Sequence, residues 1–337
     1  MFLPILLINF FMTSKLVSAS TKVGQSNLTI PGLCFGTTAL GGMPDTYGHD
    51  VSEEQARETL LAILQGPVGF LDTSRIYGFG RSEERIGRAL KELGGLPRGF
   101  VISTKLDRDM ETNCFDGERA RESLEQSMNA LGLDRLQLVH LHDPEYAQEL
   151  EQVTGRNGAL KALFRMKEEG TVEAVGLAAG KVDVMMPILR EWDFDAMITH
   201  NRYTLINRNA DSMIDLARSR GITVLNAAPY ASGVLAKGTG LSRRLTYMEA
   251  TDEMLEPVRA LENVCEKHGV PLGAAALQFS TREDRISSTI CGISRKEQIQ
   301  QTLDWADYEI PLEAWDELRA IAANTEDPEA KRIYKPG

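Results

Sequence analysis

Three apolar runs of this sequence each end on an ionisable residue: residues 68–71 on Asp72, residues 100–104 on Lys105 and residues 136–141 on His142. The pattern is typical of buried strands that open into an active-site loop. Tyr77 follows Asp72 by five residues. Parallel α/β folds place their chemistry at the carboxyl ends of their strands. Strands that lie side by side would therefore bring Asp72, Tyr77, Lys105 and His142 to one mouth.

These four residue types suit the transfer of a proton to or from a reacting oxygen. A tyrosine hydroxyl, with an unperturbed pKa of ~10, works as an acid and base near neutral pH only where a cation stabilises its phenolate. We expect Lys105 to supply that cation and Asp72 to pair with Lys105. We expect His142, as a neutral donor, to stabilise negative charge on the substrate oxygen.

Each of these residues also has a structural interpretation. Asp72 alone could cap a turn, Tyr77 could be a half-buried surface aromatic, and Lys105 could end a strand with its charge in water. His140 shares the strand face of His142 but lies deeper, which favours a core histidine. The two histidines together suggest a metal pair, but no third ligand follows at a suitable spacing, so we expect no metal.

The composition excludes several classes of protein. With 337 residues, 42% apolar and 25% charged, the chain is an ordinary globular one with enough length for a large core. The formal net charge of -11 would repel a phosphate backbone or an anionic bilayer, so we expect neither nucleic acid nor a membrane as a partner. Four widely spaced cysteines show neither a disulfide framework nor a metal-ligand spacing, which favours buried free thiols: Cys34, Cys114, Cys265 and Cys291.

The amino terminus differs from the rest of the chain. Residues 2–11 form an apolar run that is too short to span a bilayer and resembles half a signal peptide, but no basic residue precedes it. We interpret residues 1–14 as a flexible leader, with Met12 as an alternative start, and secretion stays the alternative. Residues 15–337 are predicted to form a single domain, and the protein is expected to be cytoplasmic.

Strands and helices alternate along that domain. Eight predicted strands are joined almost throughout by helical segments, and Ser52 with Gln55 predicts a capping box for the helix over residues 53–64. The pattern predicts an α/β fold, a (β/α)8 TIM barrel with an N-terminal β-hairpin over residues 15–30 that plugs one end and an extra C-terminal helix over residues 312–323. A doubly wound open sheet is the alternative, but its G-x-G-x-x-G turn is missing. The tail from Asn324 is expected to be mobile.

The order Asp72, Tyr77, Lys105 and His142 resembles the catalytic tetrad of the aldo-keto reductases, over roughly residues 15–323. Within that family, five stretches look most like the sugar dehydrogenase branch that includes D-threo-aldose 1-dehydrogenase and L-galactose dehydrogenase: FLDTSRIYGFGRSEERIGRAL, LVHLHDPE, HNRYTLINR, PYASGVLAKG and AALQFSTR. The resemblance implies an NAD(P)-dependent oxidoreductase.

In that family a nicotinamide dinucleotide lies across the barrel mouth. The resemblance implies that these positions hold it: Gly36, Thr37, Thr38, Asp72, His200, Asn201, Pro229, Tyr230, Ala231, Ser232, Gly233, Leu235, Gly292, Ser294, Arg295 and Gln298. A helix start with Ser294 and Arg295 is a good anion site, which favours NADP(H). The lysine and arginine that many relatives use for the 2′-phosphate align with Gly292 and Gln298, so NAD(H) stays possible.

Two further departures concern the nicotinamide end. The Ser-Asn pair that usually holds the amide aligns with Ala178 and Ala179, and the usual glutamine aligns with His200. Amide contacts through His200 and Asn201 are therefore expected. The usual stacking aromatic aligns near Ala227, a role that Tyr230 could take over.

The predicted substrate contacts suit a hydroxyl-rich ligand: Tyr47, Tyr77, His142, Asp143 and Tyr230. Arg202 is a further candidate for such contacts, and a structural role that braces the barrel rim is equally expected for Arg202 and Tyr203. We therefore expect hydride transfer between NAD(P)(H) and the aldehyde or hemiacetal carbon of a monosaccharide. The alternative is a non-catalytic dinucleotide-binding member of the family, a regulatory or redox-sensing subunit.

Overall fold

The computed structural model describes residues 15–18 and 20–332. Twelve strands follow one another along this part of the chain: β1 Ser20–Lys22, β2 Thr29–Pro31, β3 Leu33–Gly36, β4 Phe70–Asp72, β5 Val101–Leu106, β6 Leu136–His142, β7 Val172–Ala179, β8 Ala196–His200, β9 Thr223–Ala227, β10 Arg244–Leu245, β11 Met248–Glu249 and β12 Ser288–Gly292. The predicted leader, residues 1–14, lies outside the described residues.

The helices fill the connections between the strands. Their bounds are α1 Lys15–Ser18, α2 Pro44–Tyr47, α3 Glu53–Leu64, α4 Arg81–Leu93, α5 Gly117–Leu131, α6 Leu150–Thr154, α7 Ala159–Glu168, α8 Val182–Glu191, α9 Asp211–Ser219, α10 Val234–Lys237, α11 Asp252–His268, α12 Leu272–Thr281, α13 Glu297–Ala306 and α14 Leu312–Ala320. Short 3-10 turns occur at Thr38–Gly41, Pro144–Tyr146 and Ala231–Gly233.

Eight parallel strands close into a barrel in the order β12-β3-β4-β5-β6-β7-β8-β9, which confirms the predicted (β/α)8 fold. The register places Asp72 beside Ser103 and Lys105 beside His140. Strand β4 is only three residues long, yet the ladder continues through the amide of Thr73, which donates to the carbonyl of Ser103 at 2.8 Å. The carboxyl ends of β4, β5 and β6 therefore meet at one edge of the barrel.

The outer helices are amphipathic, and α5 illustrates why they form where they do. Its N-cap Asp116 accepts a hydrogen bond from the amide of Arg119 at 2.9 Å, and Gly132 ends it in the left-handed region with φ 68. Ala120 and Leu124 lie four residues apart on the face that packs into the core.

The N-terminal hairpin closes the amino end of the barrel, as predicted. Strands β1 and β2 pair antiparallel, and the amide of Val23 donates to the carbonyl of Leu28 at 2.9 Å across the turn. Val23, Leu28 and Ile30 belong to the same buried cluster as the inward side chains of the barrel strands, among them Phe70 and Leu138. We call this end of the barrel the floor and the opposite end the mouth.

Three local predictions are wrong. Residues 15–18 form a short helix rather than part of the hairpin. Ser52 caps α3 as predicted, but the amide group of Gln55 donates to the carbonyl of Ser294 at 2.8 Å and so does not complete the capping box. The tail folds back over the barrel: the amide of Arg208 donates to the carbonyl of Asn324 at 2.7 Å, and Asp327 accepts from Arg202 at 2.6 Å.

Within the described residues there is no helix of the length and apolar character needed to cross a membrane.

Candidate active site

The four predicted catalytic residues converge on one cavity at the barrel mouth. Asp72 and His142 are the last residues of β4 and β6, Lys105 lies one residue before the end of β5, and Tyr77 follows in the turn after β4. All four line a cavity of about 480 Å³.

Lys105 and Asp72 form a buried ion pair. The Nζ atom of Lys105 donates to Asp72 Oδ2 at 2.7 Å and to the carbonyl of Thr73 at 2.6 Å, and Asp72 Oδ1 accepts from Ser103 Oγ at 3.0 Å. Only 2% of the lysine side chain is exposed. A buried charge is costly unless it is paired and hydrogen-bonded, and these contacts meet both conditions.

Tyr77 lies directly against this pair. The Lys105 Nζ atom is 4.8 Å from the centroid of the phenol ring, and the ring meets the His142 imidazole edge to face with centroids 6.0 Å apart. Burial raises the pKa of Tyr77 well above its ordinary value, the carboxylate of Asp72 adds to the rise, and a hydrogen bond with Thr38 opposes it. The phenol is therefore protonated at neutral pH.

Two glycines allow this turn to come so close to the loop after β3. Gly78 has φ 60, and a Cβ atom there would lie 2.0 Å from the carbonyl oxygen of Gly41. A Cβ atom on Gly41 would in turn lie 2.9 Å from the backbone of Tyr77. Side chains at either position would force the two loops apart and so disturb the placement of Tyr77.

His142 stands between two carboxylates. Its Nδ1 atom lies 2.6 Å from Asp107 Oδ1, and its Nε2 atom lies 3.7 Å from Asp143 Oδ2. Burial alone would lower the pKa of His142, but Asp143 and Asp107 together raise it above the ordinary value. The neutral donor expected from the sequence stays a prediction, and both neighbouring acids work against it because they favour the imidazolium.

His140 is a core histidine, as predicted. It is fully buried, its Nδ1 atom lies 3.2 Å from Ser103 Oγ, and a Cβ atom on Gly176 would lie 2.1 Å from the ring. Burial, with the charge of Lys105, lowers its pKa well below the usual value. The ring is therefore neutral and has no room to rotate.

Most of the predicted cofactor residues line the same cavity. These are Gly36, Thr38, Asp72, His200, Tyr230, Ser232, Gly233, Gly292, Ser294, Arg295 and Gln298. A Cβ atom on Gly292 would meet nothing within 4 Å, so this backbone is open to a ligand. Exposed Arg295 and Lys237 add positive charge to the lining. An elongated anionic dinucleotide fits this set of open backbone and cations.

Five predicted cofactor residues do not line the cavity: Thr37, Asn201, Pro229, Ala231 and Leu235. The hydroxyl of Thr37 donates to the carbonyl of Asp72 at 3.0 Å inside the barrel wall. The amide group of Asn201 donates to Glu329 at 3.0 Å, and Ala231 and Leu235 belong to an apolar cluster under α11 and α12. Pro229 is buried.

The predicted anion site at the start of α13 is already capped from within. The side-chain oxygen of Gln298 accepts from the amides of Ser294 at 2.8 Å and Arg295 at 3.2 Å. A phosphate group at this position would have to displace that glutamine. Arg295 is then the predicted residue whose charge stays available there.

The substrate side of the cavity is aromatic. Tyr47 meets Tyr247 edge to face with centroids 6.1 Å apart, and the guanidinium of Arg332 lies 4.3 Å from the centroid of the Tyr247 ring. Tyr47, Asp143 and Tyr247 all line the cavity. Tyr230 lies toward the other end, where its ring packs on Trp305 with centroids 5.8 Å apart.

Arg202 and Tyr203 brace the rim. Arg202 donates to Asp327 and to Glu329, at 2.6 and 3.1 Å. Tyr203 donates to Glu283 at 2.5 Å. These contacts agree with the structural interpretation of both residues, and a ligand contact of Arg202 stays a prediction.

The sequence analysis missed several residues of the cavity and its supports: Met43, Asp107, Lys237, Tyr247, Trp305 and Arg332. Asp107 carried a usable signal, because it is two residues from Lys105 and strand side chains alternate with a period of two. Arg332 and its partner Glu329 carried none, because nothing local in the tail indicates that it returns to the mouth.

The mouth of this eight-stranded barrel carries a tyrosine, a lysine–aspartate pair and a histidine, and its cavity fits a dinucleotide. These features define a barrel oxidoreductase. Comparison with known proteins makes this specific. Residues 32–323 match the model of the aldo/keto reductase family. The chain belongs to the aldo/keto reductase family, whose members use NAD(P)(H).

Similar proteins include three dehydrogenases. The chain is 30% identical to D-threo-aldose 1-dehydrogenase of a Pseudomonas species, over 89% of this chain and 97% of the relative. It is 28% identical to pyridoxal 4-dehydrogenase of Microbacterium luteolum, over 90% and 97%. It is 26% identical to L-galactose dehydrogenase of Arabidopsis thaliana, over 83% and 86%.

Among solved structures, the fold is similar to the holo form of an aldo-keto reductase from Bacillus halodurans. The TM-score is 0.74 at 20% identity, over 93% of this chain and 99% of that one.

Proposed function

We propose that this protein transfers hydride between a nicotinamide dinucleotide and the aldehyde or hemiacetal carbon of a monosaccharide or sugar-derived aldehyde. One observation carries the proposal: Asp72, Tyr77, Lys105 and His142 meet around one cavity although they come from three strands and a turn. A bound dinucleotide supplies or accepts the hydride. The protein supplies the proton and the electrostatic field.

Tyr77 is the proposed acid and base. In reduction it gives its proton to the forming alkoxide, and in oxidation it takes the proton back. Its raised pKa keeps the proton on the phenol until charge develops on the substrate oxygen. Lys105 places its Nζ atom 4.8 Å from the centroid of that ring, and we expect its charge to stabilise the phenolate as it forms.

Asp72 and His142 have supporting roles. Asp72 holds the lysine at 2.7 Å and so fixes the position of the cation. His142 directs a donor at the substrate oxygen and stabilises charge there. Both contributions depend on fixed geometry rather than on movement during the reaction.

We propose NADP(H) as the preferred cofactor, with NAD(H) as the alternative. Arg295 is exposed at the end of the cavity where the predicted adenosine site lies. Gly292 and Gln298 add no charge, so the preference rests on a single guanidinium.

The sugar proposal rests on the polar and aromatic lining beside Tyr77. Tyr47 and Asp143 offer hydroxyl and carboxylate partners for substrate hydroxyls, and a site that pairs such groups rejects analogues lacking them. Two relatives are named as sugar dehydrogenases, which supports the same substrate class.

The test is to follow the reduced nicotinamide band with a panel of free aldoses, sugar aldehydes and aliphatic aldehydes, using both dinucleotides. We expect turnover with at least one aldose or sugar aldehyde and a higher kcat/KM than for the aliphatic aldehydes. Tight dinucleotide binding without turnover of any sugar would refute the proposal and support a non-catalytic binder.

A further inference from the structure

Asp107 is a buried carboxylate next to the tetrad that the roles above leave unused. It follows β5 directly, is 1% exposed, and uses both oxygens. Oδ1 lies 2.6 Å from His142 Nδ1, while Oδ2 accepts from Ser74 Oγ at 2.6 Å and from the amide of Ile76 at 3.1 Å. One carboxylate therefore joins the histidine to the turn that carries Tyr77.

The backbone of Asp107 is fixed from the opposite side. Its amide donates to Ser123 Oγ at 2.9 Å, and its carbonyl accepts from Arg119 Nε at 3.1 Å. Both partners lie on α5. The carboxylate is thus held on a rigid element rather than on a free loop.

The contact decides which imidazole nitrogen carries a proton. An ionised carboxylate can only accept, so His142 Nδ1 must be the donor. Burial would raise the pKa of Asp107, but His142, Ser74 and Lys105 outweigh it and hold this pKa below its usual value. With Nδ1 turned to Asp107, Nε2 is the nitrogen that can face the cavity.

Some of the charged and titratable groups around His142 favour protonation of its ring, and others oppose it. Lys105, Tyr77 and His140 stand on its β5, turn and β6 sides, and Asp107 and Asp143 flank its two nitrogens. The charge of Lys105 opposes protonation of the ring but is already paired with Asp72. The two carboxylates favour protonation.

We propose that Asp107 is a positioning residue that holds His142 as an imidazolium, with its Nε2 proton aimed at the substrate oxygen. The inference rests on the proposed function and deepens it. His142 keeps its proton throughout, and the proton that reaches the substrate oxygen is the one from Tyr77. A charged donor stabilises the developing alkoxide more strongly than a neutral one.

The test replaces Asp107 by Asn, which keeps the shape and removes the charge. We expect kcat for reduction to fall on the order of 10- to 100-fold, by analogy with the loss of a carboxylate that orients a metal-bound histidine. The KM for the dinucleotide is expected to stay unchanged. Activity should fall as rising pH deprotonates His142, and the midpoint of this fall should move to lower pH in the variant.

Ser74→Ala is the matched control, because it loosens the same carboxylate without removing its charge. Its pH profile should keep the midpoint of the unmodified protein. An Asp107→Asn variant with kcat within twofold and an unmoved profile would overturn the proposal.

A second measurement does not depend on turnover. Imidazole nitrogen NMR of histidine-labelled protein, assigned with a His142→Gln variant, reports the charge of the ring directly. We expect His142 of the unmodified protein to titrate above an ordinary histidine and Asp107→Asn to lower its midpoint by at least about one pH unit. A ring that is neutral throughout the neutral range would refute the inference even if sugar turnover is found, and an imidazolium would support it even if no sugar is turned over.

Discussion

Two lysine–aspartate pairs of nearly equal length lie at opposite ends of the barrel. At the mouth, Lys105 Nζ is 2.7 Å from Asp72, and at the floor, Lys167 Nζ is 2.6 Å from Asp195. The contact is the same, but the surroundings differ. The neighbours of each pair, rather than its contact distance, therefore distinguish a pair that faces the cavity from one that binds backbone at the floor.

The floor pair ties backbone together. Asp195 precedes β8 and also accepts from the amides of Val175 and Gln25, at 2.8 and 3.3 Å. A Cβ atom on Gly24 would lie 2.4 Å from the Cα atom of Asp195, so the hairpin packs directly on this residue. The Lys167 side chain is 31% exposed and keeps contact with water.

The mouth pair faces a cavity instead. Lys105 is buried beside the phenol of Tyr77, and it donates to the backbone carbonyl of Thr73 as well as to Asp72. Its position exposes a fixed positive charge to whatever enters the cavity. In TIM barrels generally, the carboxyl ends of the strands carry function and the amino ends carry stability, and the two pairs follow that division.

The largest expected effect comes from removing each lysine in turn. Lys105→Met should lower kcat at least about a thousandfold, because it removes the cation from Tyr77 and leaves Asp72 unpaired in a buried site. Lys167→Met should leave kcat within about twofold and lower stability by about 1–3 kcal/mol, since this lysine is partly exposed but its loss leaves Asp195 buried without a cation. Steady-state kinetics and urea unfolding of both variants check the contrast. If both variants lost kcat equally, the division between a catalytic mouth and a structural floor would be wrong.

A smaller effect, on stability alone, is expected from the floor. Ile30 is fully buried in the hairpin plug, so Ile30→Ala should lower the free energy of unfolding by about 2–5 kcal/mol. Leu312 is 74% exposed, and Leu312→Ala is the control with little expected change. Activity of the folded Ile30→Ala protein should match that of the unmodified one. A loss of kcat at full folding would show that floor and mouth are coupled.

The smallest effect concerns a buried acid between the barrel and its helices. Burial raises the pKa of Glu83 to about 7, although Thr104 Oγ1 donates to it at 2.6 Å. A raised carboxyl pKa contributes stability at low pH that is lost as pH rises through the folded value. Compared with the unmodified protein, Glu83→Gln should therefore gain stability as the pH rises from about 4.5 to 7, and the gain should level off at about 3 kcal/mol above pH 7. Urea midpoints at pH 5 and 8 measure this, and a pH-independent difference would contradict the assignment.

The sequence predicted what is local or repeated. Each barrel strand is an apolar run, and a cap such as Ser52 marks a helix start, so the barrel followed from alternation alone. The four mouth residues followed because each ends or follows such a run. The carboxyl ends of parallel strands meet at one edge of the sheet. These residues could therefore be placed together without knowing any side-chain contact.

Contacts between distant segments could not be predicted. Glu329 accepts from Arg202 and Asn201, which lie more than a hundred residues earlier in the chain. These contacts hold the tail at the mouth, although the sequence led us to expect a mobile tail. Gln55 matches the pattern of a capping box, but its side-chain amide instead donates to the carbonyl of Ser294, which is 239 residues away along the chain. Asp107, which lies 2.6 Å from His142 Nδ1, was not predicted because it stood outside the recognised pattern.

The most direct test of the account is Tyr77→Phe, with dinucleotide binding and turnover measured on the same sample. The change removes one oxygen and keeps the ring that packs against Lys105 and His142. We predict that the Kd for the reduced dinucleotide stays within about twofold, while kcat falls at least about a hundredfold. Retention of near-normal kcat with intact binding would contradict the claim that this phenol exchanges the proton.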